Sequence, residues 1–319
     1  MLDLLINNMN ISVFLGIVFS FAVTFTATAL LKDKLPKDGG REFAHDGKLS
    51  KGKPRGAGII FVLTFVCAGL VFGVLNLENM IYLVLMTICM FTGFFDDAAE
   101  KPWNEYKKGA LDLVVSILVA VTFLYFNPAA VNLAIFGVSF SLHPIIYGIL
   151  IVILVWVSVN VTNCSDGVDG LSGTLSIITM MSIYFLCNIL GVAGEFTPLI
   201  LFFVMSLIAY LWFNATPSIL MMGDAGSRAM GIFIAMAILK SGAPLLYIPL
   251  AIVLIVDGGL GLIKVSVIRF LHVHIMSNLR TPIHDHVRKV MNWSNTQCVY
   301  RFAIIQIVVS AITLYLVKI

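Results

Sequence analysis

The sequence predicts an all-α fold: a polytopic integral membrane protein of ten transmembrane helices, built as one membrane-embedded unit across residues 1–319. Three observations carry that reading. Hydrophobic residues make up 60% of the chain and charged residues 12%, and the mean hydropathy is +1.00, a balance that no water-soluble domain carries without aggregating. Apolar runs approaching the roughly 20 residues that a bilayer core demands recur along the whole chain. Basic residues gather in alternate connections between those runs.

The first run, 11–31, has no basic residues before it and no small-residue cleavage site after it, so it reads as an anchor rather than a secretory signal. The second, 57–75, follows the turn "KGKPRGAG", and the third, 79–95, ends in "GFFDD". The fourth, 109–126, begins directly after Lys108. The fifth and sixth, 144–160 and 171–190, are joined by "NVTNCSDGVDGLSG". The seventh, 197–213, leads into "FNATPSILMMGDAGSRAMG", and the eighth, 228–239, is short. The ninth, 244–271, is too long for one straight crossing. Its Asp257, Gly258, Gly259 and Gly261 serve either to bend it and open a lipid groove or only as a flexible kink. The tenth is 298–317.

Basic residues are retained on the cytoplasmic side. With ten helices, one set of loops holds 8 (Lys32 to Arg55), 3 (Lys101 to Lys108), 0, 1 (Arg228) and 6 (Lys264 to Arg301) of the 20 Lys and Arg residues, leaving only Lys240 and Lys318 outside it. Both termini are thereby predicted on the periplasmic or extracellular face. The formal net charge of +3 then reports topology and excludes a nucleic-acid partner, since no soluble basic domain carries it. Cys67, Cys89, Cys164, Cys187 and Cys298 share no close spacing and mostly lie inside apolar runs, which reads as core filler, not a disulfide framework or zinc site. The sequons at Asn160, Asn163 and Asn214 face the cytoplasm in this topology and read as chance.

The same topology gathers the acidic residues. Asp96 and Asp97 end the third helix, Asp166 and Asp169 precede the sixth, Asp224 precedes the eighth, and Asp285 sits between His284 and His286 in the last inner loop. Taken singly, each has a bland explanation: an aspartate at a helix start is a common cap, a DD pair is usually solvated, and a histidine in a basic loop is usually surface. Convergence of several inner loops lifts the functional reading above these. Clustered, the five carboxylates from Asp96 to Asp224 repel one another at a membrane edge and are expected to need a cation, and oxygen ligands without cysteine indicate Mg²⁺ or Mn²⁺ rather than zinc. Gly167, Gly170, Gly223 and Gly226 lie where the chain turns into helix N-termini, which offer unpaired amides and positive dipole ends to a phosphate. With Lys51, Arg55, Lys107, Lys108 and Arg288 nearby, these predict a nucleoside-diphosphate pocket at the membrane surface. Neither GxxxxGK[ST] nor a strand-borne GxGxxG occurs.

The motifs "GFFDD", "NCSDGVDGL", "FNATPSILMMGDAGS" and "TPIHDH", in this order on alternate inner loops, resemble those of the polyprenyl-phosphate N-acetylhexosamine 1-phosphate transferases, over about residues 45 to 290. The "PIHDH" loop and the "KGKPRGAG" turn are most similar to the branch acting in peptidoglycan synthesis. The resemblance implies a ten-helix, commonly dimeric enzyme of the bacterial inner membrane. It would move phospho-MurNAc-pentapeptide from UDP-MurNAc-pentapeptide to undecaprenyl phosphate, release UMP and require Mg²⁺. Asp224 matches the family's metal-binding aspartate. Asp96 and Asp97 match its DD pair, with Asp96 the candidate for deprotonating or positioning the lipid phosphate. Asn163, Asp166 and Asp169 match the uridine and diphosphate region, Asn214 a polar residue of the same pocket, and Lys108 a lysine near the phosphates. His284 and His286 match the outer two of a histidine triplet.

The chain departs from the family at several of these positions. The last loop reads His284, Asp285, His286, Val287, Arg288 where the family has three histidines, an aromatic residue and a glutamate. Met221 stands where an aromatic residue usually stacks on uracil, Lys51 belongs to a turn usually rich in threonine, the lysine after the DD pair falls one position late at Lys101, and Asp257 replaces a glutamate. A GlcNAc-1-phosphate transferase is therefore the alternative within the family. Outside it, a transporter would place its polar residues mid-bilayer, where only Asp112 and Asp257 are candidates, and would often show inverted halves, which this sequence lacks. An intramembrane aspartyl protease would need facing mid-membrane aspartates. The DGxxAR signature of CDP-alcohol phosphotransferases is missing.

Overall fold

The computed structural model describes residues 9–40, 50–101 and 103–319. Arg41 and Lys48, two of the eight basic residues assigned to the first inner connection, lie outside them. Helices form at all ten predicted runs: α1 (Met9–Leu31), α2 (Gly58–Phe72), α3 (Leu77–Asp97), α4 (Glu105–Phe126), α5 (Pro144–Cys164), α6 (Leu171–Ile189), α7 (Thr197–Asn214), α8 (Gly223–Lys240), the pair α9 (Pro244–Leu250) and α10 (Ile252–Leu271), and, after the short α11 (Ile283–Lys289), α12 (Asn295–Lys318). Seven of these are long and apolar enough to cross a membrane, and α9 with α10 makes an eighth if the bent pair is one span.

α2 and α8 fall short of that criterion for different reasons. The 15 residues of α2 reach about 22 Å at ~1.5 Å each, less than the ~30 Å hydrocarbon core. α8 carries Asp224, Arg228 and Lys240, and it tolerates them because it is the axis of the molecule, buried from Gly223 to Leu239. α2, α3, α4, α5 and α6 all touch it. Glycines permit the closest approaches, as is usual where helices meet in lipid. A side chain on Gly58 would begin 2.0 Å from the Gly226 nitrogen, and one on Gly93 would begin 2.4 Å from the backbone of Asp224. By contrast, α1 and α12 turn many large apolar side chains outward, among them Phe14, Ile304 and Ile312.

Two features differ from the sequence reading. Residues between α4 and α5 form an antiparallel hairpin, β1 (Ala130–Leu133) against β2 (Val138–Ser141), with Ala130 opposite Ser141 and Leu133 opposite Val138. The Asn132 N–H donates to the Gly242 carbonyl, which ties this hairpin to the far end of α8. The ninth run bends by 71° between Leu250 and Ile252, ahead of the glycines expected to bend it. Asp257, Gly258 and Gly259 instead lie in a π-helical turn, Ile255–Gly259. Such a turn inserts an extra residue and is frequent at functional sites.

Gly93→Ala is expected to cost about 1–3 kcal/mol through overpacking against α8, read as a lower melting temperature in detergent. Gly109→Ala, where a Cβ meets nothing within 4 Å, is the control expected to leave it unchanged or higher. Equal melting temperatures for the two variants would sink the close-packing account.

Candidate active site

Asp96 and Asp97 occupy the last turn of α3, about 100° apart around the helix. That angle sends one carboxylate toward α4 and the other under α8. The Asp97 side chain is fully buried and accepts hydrogen bonds from the N–H groups of Asp224 (3.1 Å) and Ala225 (3.0 Å). It thus caps α8 from a neighbouring helix, satisfying donors that the helix start leaves unpaired. Gly223 (φ +67°) is required here, since a Cβ would fall 2.1 Å from Asp97 Oδ2. Asp224 itself lies in the first turn of α8, where the helix dipole favours an anion.

Two cations bind these carboxylates together. Arg55, from the turn before α2, places Nε 2.8 Å from Asp97 Oδ1 and reaches Asp224 Oδ1 at 3.5 Å and Asp38 Oδ1 at 3.4 Å. Lys108, in the first turn of α4, places Nζ 2.5 Å from Asp96 Oδ2 and 3.2 Å from Asp224 Oδ2. Asp96 also accepts from the Trp103 N–H at 2.6 Å. Each unit-charge contact near 4 Å is worth about 4 kcal/mol at an effective dielectric of ~20, before desolvation. Side-chain cations from two other elements hold the three carboxylates together here. No group of three or more His, Cys, Asp or Glu side chains able to hold a metal exists among the described residues. A cation position nonetheless exists, because oxygens of Asp96 and Asp224, from separate helices, converge on the Lys108 ammonium. A hard divalent ion taking two carboxylates and completing its shell with phosphate oxygens fits that donor set.

The Arg55 guanidinium, outside the helices, has its pKa raised above its ordinary value: burial works against the charge, and Asp97, Asp224, Asp38 and Asp166 outweigh it. Asp166 is thus within electrostatic reach of this cluster. Asp169 sits farther out, accepting from the Ser218 N–H at 3.1 Å and facing Lys53 Nζ at 3.9 Å. Asn163 donates to Ser227 Oγ at 2.9 Å, one turn below Asp224. Asn214, matched to a pocket residue by the resemblance, is buried and uses its amide internally: its oxygen accepts from the Gly170 N–H and its nitrogen donates to the Leu220 carbonyl, both at 2.9 Å. It holds the two glycine-bearing loops side by side. Met221 is half-buried, with its backbone paired to Pro54 and Ala57, and Lys51 is exposed at the tip of the same turn.

A second cluster forms at the π turn. Asp257 accepts from the backbone N–H of His284 at 2.7 Å, capping α11, and lies 2.9 Å from His284 Nδ1. The opposite ring edge faces the loop "SDGVDG", since a Cβ on Gly167 would meet His284 Nε2 at 2.3 Å. Arg288 spans the same junction, donating to the Gly167 carbonyl at 3.4 Å and to Asp285 Oδ1 at 2.8 Å. The loop after α5 therefore bridges the carboxylate cluster and the histidine cluster. Asp285 does not enter the site as a third histidine would. It pairs with Arg288 and with Lys289 (3.1 Å), and its pKa is lowered although burial alone raises it, because Lys289, His284 and Arg288 prevail. His286 is half-buried, its Nδ1 accepting from the Arg280 N–H at 3.3 Å. Sequence reasoning did not assign Asp38, Lys53, Ser227 or Asp257 to the site. Only Asp257, a charge inside an apolar run, carried a signal that could have found it.

The family described as glycosyl transferase family 4 matches residues 79–242, a stretch that contains Asp96, Asp97, Lys108, Asn163, Asp166, Asp169, Asn214 and Asp224. The chain belongs to this family. Among its relatives is the phospho-N-acetylmuramoyl-pentapeptide-transferase of Treponema pallidum (strain Nichols), 38% identical over 93% of this chain and 86% of its own. The proteins of the same name in Helicobacter hepaticus and Dictyoglomus turgidum are 28% and 26% identical, over 86% and 94% of this chain and 84% and 96% of their own. Arg55, Asp257 and His284, which meet these residues in the fold, lie outside the matched stretch.

Asp97→Ala strips the cap from α8 and leaves Arg55 facing one fewer carboxylate, an expected loss of about 1–3 kcal/mol. Asp97→Asn, which keeps one acceptor, should lose less. Unchanged thermal stability of both purified variants would show that the cap is not needed.

Proposed function

We propose that this chain transfers phospho-MurNAc-pentapeptide from UDP-MurNAc-pentapeptide to undecaprenyl phosphate, releasing UMP and forming the first lipid intermediate of peptidoglycan. The observation that carries the proposal is the convergence of Asp96, Asp97 and Asp224 with Arg55 and Lys108 at the start of α8. It occurs in a chain 38% identical, over 93% of its length, to a protein bearing that activity's name. In this reading α2 and α8 also cross the bilayer, giving ten spans with both termini outside. The site then faces the cytoplasm of a bacterial plasma membrane, and the enzyme works as a homodimer.

Phosphoryl transfer asks a protein mainly for positioning and charge neutralisation. Donor and acceptor are both anions, and the buried start of α8 offers a positive dipole end beside Lys108 and Arg55. Asp224, with Asp96, is the pair that would hold Mg²⁺, which supplies further neutralisation of the diphosphate when bound. Lys108, between the same two carboxylates, would then be free to pair with a phosphate. Asp96 already accepts from the Trp103 N–H, and a lipid phosphate has a second pKa of about 6, so little base help is needed. Asp96 serves as an orienting group rather than a proton acceptor. Asp257 holds His284 with Nε2 toward the DGVDG loop, beside the place where the donor's phosphates would lie.

A GlcNAc donor is the second reading, favoured by Met221 at the uracil-stacking position and by Asp285 inside the histidine loop. Purified protein given undecaprenyl phosphate and either UDP-MurNAc-pentapeptide or UDP-GlcNAc is expected to convert only the first. Conversion of only the second would move the assignment. Asp224→Ala is expected to abolish Mg²⁺-dependent UMP release while the protein stays folded in the membrane, and undiminished turnover would reject the site.

A further inference from the structure

Beneath the carboxylate cluster lies a second charge pair that the chemistry above does not use. Asp112, one turn deeper than Lys108 on α4, and Arg228, one turn deeper than Asp224 on α8, are 4% and 2% exposed. Arg228 donates through Nε (3.1 Å) and through a closer Nη2 contact to the same oxygen, Asp112 Oδ1. Its Nη1 is buried with no hydrogen-bond partner among the described residues. Such a pair is a poor way to gain stability, since the desolvation of two charges rivals their attraction and an apolar pair of similar volume often does as well or better. Its value must lie elsewhere.

The two pairs form a ladder. Residues four apart share one helix face, so α4 presents Lys108 then Asp112, and α8 presents Asp224 then Arg228. The sign alternates along each helix and across each rung. Sliding either helix by one turn would set Lys108 against Arg228, or Asp224 against Asp112, and both arrangements place like charges together in a low dielectric. α4 leans mainly on α3 and α5 and touches α8 only sparsely, so these rungs are a principal direct link between the two.

We propose that Asp112 and Arg228 are positioning residues that lock the register of α4 against α8, so that Lys108 meets Asp96 and Asp224 at one point. The inference rests on the transferase reading and extends it to residues that touch no substrate. Two double variants of the full-length protein test it: Asp112→Leu with Arg228→Leu, and Asp112→Glu with Arg228→Lys. The apolar pair should keep or raise the melting temperature in detergent. Its kcat should nevertheless fall about tenfold while KM for UDP-MurNAc-pentapeptide stays within about twofold, the signature of lost transition-state positioning. The charge-conserving pair should regain most of kcat. Wild-type kcat in the apolar variant, or kcat and KM failing together with the melting temperature, would overturn the proposal. If the apolar variant does not fold, Asp112→Asn with Arg228→Gln takes its place under the same thresholds, and failure of both to fold would make the pair structural and overturn it as well. A wild-type protein inactive on UDP-MurNAc-pentapeptide but active on UDP-GlcNAc would overturn the donor assignment alone, and the same split of kcat from KM is then read with UDP-GlcNAc.

Discussion

Compensation of the carboxylates at the buried start of α8 is the constraint on which the rest depends. Three carboxylates from two helices meet there, and none faces bulk water freely. Arg55 and Lys108 offset them, the α8 dipole stabilises Asp224, and the α8 amides occupy Asp97. Removing any one of these leaves an unpaired charge in a poorly solvated place, which explains why the turn before α2, the end of α3 and the start of α4 must all reach the same point. The fold is organised to let them do so. α8 is wrapped by five other helices, and the glycines at its contacts bring backbones close enough that short aspartates span the gap.

This arrangement also explains how so apolar a chain carries charges within its helical runs. Asp112 answers Arg228, Asp257 answers His284, and Glu78 answers Lys240 at the far end of the bundle, at 2.8 Å. Each pair joins different elements, so the bilayer meets mostly apolar side chains while the polar groups satisfy one another inside. A transport path would string such groups across the thickness of the membrane. Here the densest set gathers at one end, beside two glycine-bearing loops that Asn214 clamps together.

The site was legible in the sequence to the extent that motifs mark it. Asp96, Asp97, Asp166 and Asp224 stood out as carboxylates ending or starting apolar runs, and they do share one end of the molecule. Their partners were harder to read. Arg55 and Lys108 were named only as nearby positive charge, because a lysine in a basic loop has no sequence mark that tells a solvated residue from one bridging two helices. Asn214 stood out as a pocket residue, and its part in clamping two backbones together could not be read from the sequence. The bend in the ninth run was looked for at the glycines and occurs ahead of them, while Asp257, Gly258 and Gly259 form a π-helical turn from which Asp257 reaches α11.

Composition and hydropathy by themselves determined the class of this protein: a mostly helical membrane chain with ten apolar segments and polar motifs at their ends. Those properties are sums over residues, and the cost of placing polar groups in lipid leaves few other ways to arrange them. The tertiary structure alone decided which charges meet. It chose Asp97 as the cap of α8, gave Asp96 and Asp224 a common cation, set Asp112 against Arg228 one turn below, and turned Asp285 away into a pair with Arg288. The physical reason is that a helix fixes only the face on which a residue lies. The depth and rotation of its neighbours, set here by glycine contacts and buried ion pairs, determine what that face meets.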